Sequence, residues 1–192
     1  MKNSDQLRIG CVILAAGNSS RFGENKLLTE IDGITMIERA FDAISTEKLC
    51  DIIVVTQYES IIKLAERYGF SCVVNDHPEL GLSRSVMLGA AALKDHCDGI
   101  LCTVADQPWL KRDSVSQMLD VFRCHPDCIV SMSSGGKRGN PCVFPKKYFD
   151  ELCSLSGDTG GRTVIENHED DLILFEASDA ELKDVDTPDD ML

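Results

Sequence analysis

No stretch of this sequence is apolar for long enough to cross a bilayer as a helix. The opening residues MKNSDQLRIG lack the apolar block of a secretory signal, so the reading is a cytoplasmic protein. None of the nine cysteines falls in a C-x-x-C pair, and without an export signal they read as reduced thiols. Those at 11, 72, 102 and 142 sit in or beside apolar runs and read as small core residues. Positive charge is scarce: 19 Lys and Arg stand against 32 Asp and Glu, for a net charge of −13. That balance argues against non-specific nucleic-acid binding and against anionic membranes. Past Glu166, Lys183 is the only base among eleven charged residues. There is no linker-like segment and no internal repeat. The 192 residues fit one globular domain, 1–192, with a substantial core.

What is present is a rhythm. Apolar runs at Ile9–Ala15, Ile52–Thr56, Cys72–Val74, Ile100–Val104 and Cys128–Met132 read as strands. Between them, 35–45, 59–68, 83–93 and 113–123 carry apolar residues at helical spacing. Thr35–Glu38 and Ser114–Gln117 read as capping boxes. Strands apolar throughout, separated by helices, predict an α/β fold with a mostly parallel sheet covered on both faces. After Met132 the rhythm breaks. SSGGKRGNPCVF reads as a glycine-rich loop feeding a short strand, 147–155 as a helix, and SGDTGGRTVIENH as a loop and a helix. LILFEA and LKDVDTP are late strand-like pieces, expected to add an antiparallel element.

The most informative stretch is VILAAGNSSRFGENKLL, where the first strand delivers two glycines, Arg21 and Lys26 to one loop. Strand, glycine-rich loop and helix suggest phosphate binding. The familiar fingerprints fail: Gly17 and Gly23 enclose five residues rather than four, Lys26 comes three later, and no G-x-G-x-x-G is present. Gly17 still lets backbone approach a ligand closely. The successive amides of Asn18, Ser19 and Ser20 can form an anion-binding concavity. Arg21 offers a planar fork and Lys26 a point charge. An ordinary surface turn with solvated bases is the competing reading. Because the global field repels anions, any phosphate site here needs such local groups, or a metal ion, to reverse it.

LAAGNSSRFGENKLL resembles the L-A-[AG]-G-x-S-x-R-[MF]-G-x-x-K signature of nucleotidyltransferases with a Rossmann-like fold. GLSRSV, VADQPWL, GNPCVFPKKYFDEL, SGDTGGR and DVDTPDD match further stretches in order. Together they resemble the molybdenum cofactor cytidylyltransferase family, the MobA-like branch, over nearly the whole chain. The resemblance implies a single-domain, three-layer α/β/α Rossmann-like fold. It also implies transfer of CMP from CTP to molybdopterin or the molybdenum cofactor, with Mg2+ as the cofactor, Mn2+ as its substitute, and an apo molybdenum hydroxylase as a partner. Arg21, Lys26 and Asp106 are then the catalytic set. Leu14, Ala15, Ala16, Gly17, Asn18, Ser19, Arg21, Lys26, Ser83 and Ser85 are the nucleotide-binding set. Asp106 and Asp186 hold the metal, with Asp184 in reserve. Asn140, Pro141, Asp158 and Arg162 meet the acceptor.

The residues themselves agree in part. Asp106 follows the apolar run GILCTVA, so it emerges at the carboxyl end of a strand, where open α/β sheets bind ligands. Asp184 and Asp186 are two apart and share a face if the segment is extended, although an acidic tail would look the same. Ser83 and Ser85 can also serve as helix caps. Arg84 stands where many relatives have a small residue, and either adds a phosphate contact or points into solvent. Asp76 and His77 are further candidates near the base. Asn140 replaces a frequent His and cannot titrate. Arg162 can pair with phosphate or with Asp158. Cys124-His125-Pro126-Asp127-Cys128 matches no common zinc spacing. Trp109 is expected to pack under the Asp-Gln-Pro turn. Guanylyl transfer to the same pterin, nucleotidyl transfer to a sugar or methylerythritol phosphate, and a non-catalytic cofactor carrier are the alternatives.

Overall fold

The computed structural model describes residues 7–17 and 25–191. Strand β1, Ile9–Ala15, is buried along all seven of its residues. Such a strand has no solvated face and must lie inside a sheet with helices above and below. A short hairpin, β2 (Glu30–Ile31) and β3 (Ile34–Thr35), leads into α1 (Met36–Asp42). There the Thr35–Glu38 capping box is present in both directions. The alternation continues through β4 (Asp51–Thr56), α2 (Glu59–Arg67), β5 (Ser71–Val74), α3 (Leu82–Leu93), β6 (Gly99–Val104), α4 (Arg112–Cys124) and β7 (Ile129–Ser134). It closes with β8 (Lys137–Pro145), α5 (Phe149–Cys153), α6 (Arg162–Asn167) and β9 (Leu172–Glu176).

The main sheet has seven strands in the order β5-β4-β1-β6-β8-β7-β9. β1 pairs in parallel with β4 and β6, β4 with β5, and β7 with β9. β8 alone in this sheet runs against its neighbours, β6 and β7. The antiparallel element is therefore β8, and the late piece LILFEA, as β9, is parallel to its partner. The two faces bury separate cores. Cys11, Ile13 and Ala15 of β1 meet Ile37, Phe41, Ile61, Met118 and Phe122 on one side. Val12 and Leu14 meet Val86, Ala90, Phe149, Leu152 and Ile165 on the other. This is the mostly parallel, three-layer Rossmann-like α/β architecture expected. α3 lies so near β1 that a Cβ on Gly89 would sit 2.3 Å from Val12 Cγ1.

Three local expectations are corrected. GGKRGN is not a loop: Gly135 and Gly136, at φ of 55° and 76°, make a tight turn, so Lys137 to Asn140 already belong to β8. Ser114 does not cap α4, which starts earlier at Arg112 without a side-chain cap. LKDVDTP is not a strand but follows a 3-10 turn at Asp179–Leu182. It is anchored by fully buried Val185, whose amide donates to the Asp106 carbonyl at 2.9 Å.

Candidate active site

The carboxyl end of β1 delivers Ala15, Ala16 and Gly17. Their carbonyls are held from the end of β4: Thr56 Oγ1 donates to Ala15 O at 2.9 Å, Gln57 Nε2 to Ala16 O at 2.8 Å, and Tyr58 OH to Gly17 O at 2.9 Å. Asn18, Ser19, Ser20, Arg21 and Gly23 lie outside the described residues. The chain resumes at Asn25, whose side chain accepts from Leu27 N at 3.1 Å and starts a 3-10 turn over Lys26–Leu28. Leu27 is buried in the core, and this fixes the turn that carries Lys26.

Lys26 is where distant parts of the chain meet. Its Nζ donates to Asp106 Oδ2 at 2.9 Å, to the Val185 carbonyl at 2.9 Å and to Asp186 Oδ1 at 3.3 Å. Burial works against the ammonium, yet Asp106 and Asp186 override it and leave its pKa above the ordinary lysine value. Asp184 does not touch Lys26. It accepts from Gln107 Nε2 at 2.9 Å. Partial desolvation, then the Asp106 carboxylate, push Asp184 up. Asp190 Oδ2 accepts from Asp186 N, Thr187 N and Thr187 Oγ1 at 3.1, 2.8 and 2.8 Å and so fixes the turn that presents Asp186.

Among the described residues no three His, Cys, Asp or Glu side chains cluster to hold a metal. The fit for a divalent ion rests on a different observation. Two carboxylates and a main-chain carbonyl converge from separate segments on one cation, and all three donors are oxygen. Mg2+ and Mn2+ prefer such hard donors, with few protein carboxylates and the remaining positions filled by water and phosphate.

A cavity of about 580 Å³ opens beside this cluster, lined by Leu14, Ala15, Ala16, Gly17, Lys26, Ser85 and Asp106 among others. Ser85 accepts from buried Asn75 Nδ2 at 3.0 Å. Ser83 turns away from the cavity and accepts from Gly160 N at 3.0 Å, tying α3 to the loop before α6. Neither serine caps α3. That task falls to Asp158, whose Oδ1 accepts from Leu82 N at 2.9 Å. Asp158 thus lines the first cavity. Arg84 neither faces the cavity nor points free into solvent but pairs with Asp76 at 3.2 Å, and His77 pairs with Glu79 at 3.0 Å. Trp109 is partly buried and packs against the core.

A second cavity, about 480 Å³, adjoins the first and shares Leu14 and Leu82 with it. Asn140 and Arg162 line it; Pro141 does not. Arg162 pairs with Glu166 at 2.6 Å, not with Asp158. The sequence reading missed Thr56, Gln57, Tyr58 and Asn75, which act on backbone or on another side chain and belong to no recognised motif. It also missed Lys137 and Arg138, which line the second cavity.

Comparison with known proteins agrees with this geometry. The model of the MobA-like NTP transferase domain matches residues 11–172. The purine catabolism protein PucB of Bacillus subtilis is 29% identical over 92% of this chain and 91% of its own length. A probable molybdenum cofactor guanylyltransferase of Thermococcus sibiricus is 30% identical over 58% of this chain and 54% of its own. Rv0371c of Mycobacterium tuberculosis superposes with a TM-score of 0.80 at 25% identity, over 96% of this chain and 95% of its own. A manganese complex of Rv0371c is also known. Paired cavities at the carboxyl edge of this sheet accord with that match: the chain belongs to the family of the MobA-like NTP transferase domain and is a nucleotidyltransferase.

Proposed function

We propose that this nucleotidyltransferase moves CMP from CTP to the phosphate of molybdopterin or of its molybdenum-loaded form. Pyrophosphate is released, in a single cytoplasmic domain that spans 1–192, and the product serves an apo molybdenum hydroxylase. The observation that carries this reading is the meeting of Asp106 and Asp186 on Lys26, with Lys26 and Asp106 lining one cavity and a second cavity adjoining it.

The acceptor phosphate is already anionic, so no strong base is required. Its oxygen attacks the α-phosphorus, the bond from that phosphorus to the bridging oxygen breaks, and the electron pair leaves with pyrophosphate. The work is to hold two anions in line and to neutralise charge on the leaving group. Lys26, with Arg21 and the amides of Asn18 and Ser19, takes the triphosphate. Ala15, Ala16, Gly17 and Ser85 meet the nucleoside. Asp106 and Asp186 hold Mg2+ or Mn2+, which supplies the remaining positive charge to the polyphosphate; the manganese complex of Rv0371c supports a divalent ion on this fold. Asn140 and Arg162 meet the acceptor.

Guanylyl transfer is the second reading, because relatives about 30% identical are named molybdenum cofactor guanylyltransferases. Ala16, where the guanylyl pattern has glycine, favours cytidine, but one methyl group discriminates by only ~1–3 kcal/mol. A pyrophosphate-release assay decides. CTP with molybdopterin should give the highest kcat/KM across CTP, GTP, ATP and UTP. A faster reaction with GTP moves the base assignment. A sugar or methylerythritol phosphate outrunning the pterin moves the acceptor. Pterin binding without pyrophosphate from any nucleotide makes the chain a carrier.

A further inference from the structure

The second cavity is built around positive charge in a chain whose net charge is −13. Lys137 and Arg138 enter it from the start of β8 and Arg162 from α6, and among the described residues no carboxylate lines it. The two arginines are not loose. Arg138 Nη2 and Arg162 Nε both reach the same oxygen, Oε1 of Glu166, at 3.6 and 2.6 Å. Glu166 is not part of the cavity wall. It therefore braces both guanidinium groups from outside while they line the cavity. A guanidinium carries five N–H donors, and one nitrogen of each arginine is recorded against Glu166. One carboxylate cannot neutralise three cations, so the cavity keeps a net positive charge. The floor is different: Val86, Phe144 and Ile165 line it with apolar surface.

We propose that Arg138 is an anion-binding residue of this cavity and that Glu166 is a positioning residue that aligns Arg138 with Arg162. This deepens the acceptor assignment made above and rests on it. Arginine pairs present planar forks to phosphate oxygens better than lysines do.

The test uses the full chain and a fluorescent probe, hydroxymethylpterin monophosphate, with its dephosphorylated form as control. In wild-type protein, removing the phosphate should weaken binding about tenfold or more, the usual weight of charge-assisted hydrogen bonds. In Arg138→Gln the preference for the phosphorylated form should shrink severalfold. Glu166→Gln should weaken the phosphorylated form severalfold and leave the control unchanged, with partial recovery in Glu166→Asp. In turnover, acceptor KM should rise while kcat and the KM for CTP stay within about twofold, because binding alone is lost. Thermal melts confirm folding, and Arg138→Lys supplies a milder variant if Arg138→Gln melts early. Equal binding of both pterin forms by wild type, or equal weakening of both in Arg138→Gln, overturns the proposal. Absence of pyrophosphate release overturns the transferase reading instead and leaves the binding result to stand by itself.

Discussion

The two cavities lie side by side, share Leu14 and Leu82, and meet the same physical problem with opposite charge. Among the described residues the first is lined by Asp106, Asp158 and Glu79 against one lysine, Lys26. Among the described residues the second is lined by Lys137, Arg138 and Arg162 and by no carboxylate. The carboxylates of the first reinforce the global repulsion of a polyphosphate, so a divalent ion beside Lys26 and Arg21 would ease its entry. The second can attract an anion directly. On the proposed function, the acidic cavity would take its ligand through a divalent ion, and the basic one through fixed guanidinium groups.

The largest expected effect strikes the acidic cavity. Asp106→Asn should lower kcat at least ~10³-fold, as for loss of a key electrostatic group, with melting close to wild type because the Val185 amide still bonds to the residue-106 carbonyl. Chelation should abolish wild-type turnover, and Mg2+ or Mn2+ should restore it. Wild-type rates in Asp106→Asn, or turnover in excess chelator, would break the comparison at its acidic end. Next comes Lys26→Met, expected to lower kcat/KM with respect to CTP about 10²-fold and to leave Asp106 and Asp186 facing each other without their shared cation. A smaller effect separates the cavities by salt. Raising ionic strength from about 0.1 to about 1 M shortens the Debye length from ~10 to ~3 Å. The KM for acceptor should then rise more than the KM for CTP at saturating metal. Equal slopes would mean that both cavities recruit anions in the same way.

How much of this was legible depended on whether the signal was local. β1 could be read to the residue because a fully buried parallel strand is apolar throughout. The Thr35 capping box was legible because its partners are three residues apart. Asp106 and Lys26 were legible through strand-end placement and motif. The β7–β8 turn was not: GGKRGN has the composition of a loop, and only pairing with β7 shows that Lys137 and Arg138 are strand residues. LKDVDTP was read as strand-like, but its apolar residues Leu182 and Val185 are three apart, and Val185 is a buried plug whose amide holds the Asp106 carbonyl. Glu166 was invisible, since its partners lie on two separate elements.

The smallest effect tests the wall between the cavities. Gly157 and Asp158 line the first, while Thr159, Gly161 and Arg162 line the second, so one short loop is the partition. Asp158 pins it by accepting from Leu82 N at the start of α3. Gly81, at φ 85°, makes room, since a Cβ there would lie 2.6 Å from Asp158 Oδ1. Ser83 adds the second tie through Gly160 N. Asp158→Ala should cost about 1 kcal/mol, the usual weight of a lost helix cap, and lower the melting temperature by ~2–4 °C. Asp158→Asn keeps the accepting oxygen and should recover most of it. Because the loop serves both sides, the KM for CTP and the KM for acceptor should rise together and modestly in the alanine variant. A change in only one of them would show that the partition belongs to a single site, and unchanged melting would show that the Leu82 amide finds its partner elsewhere.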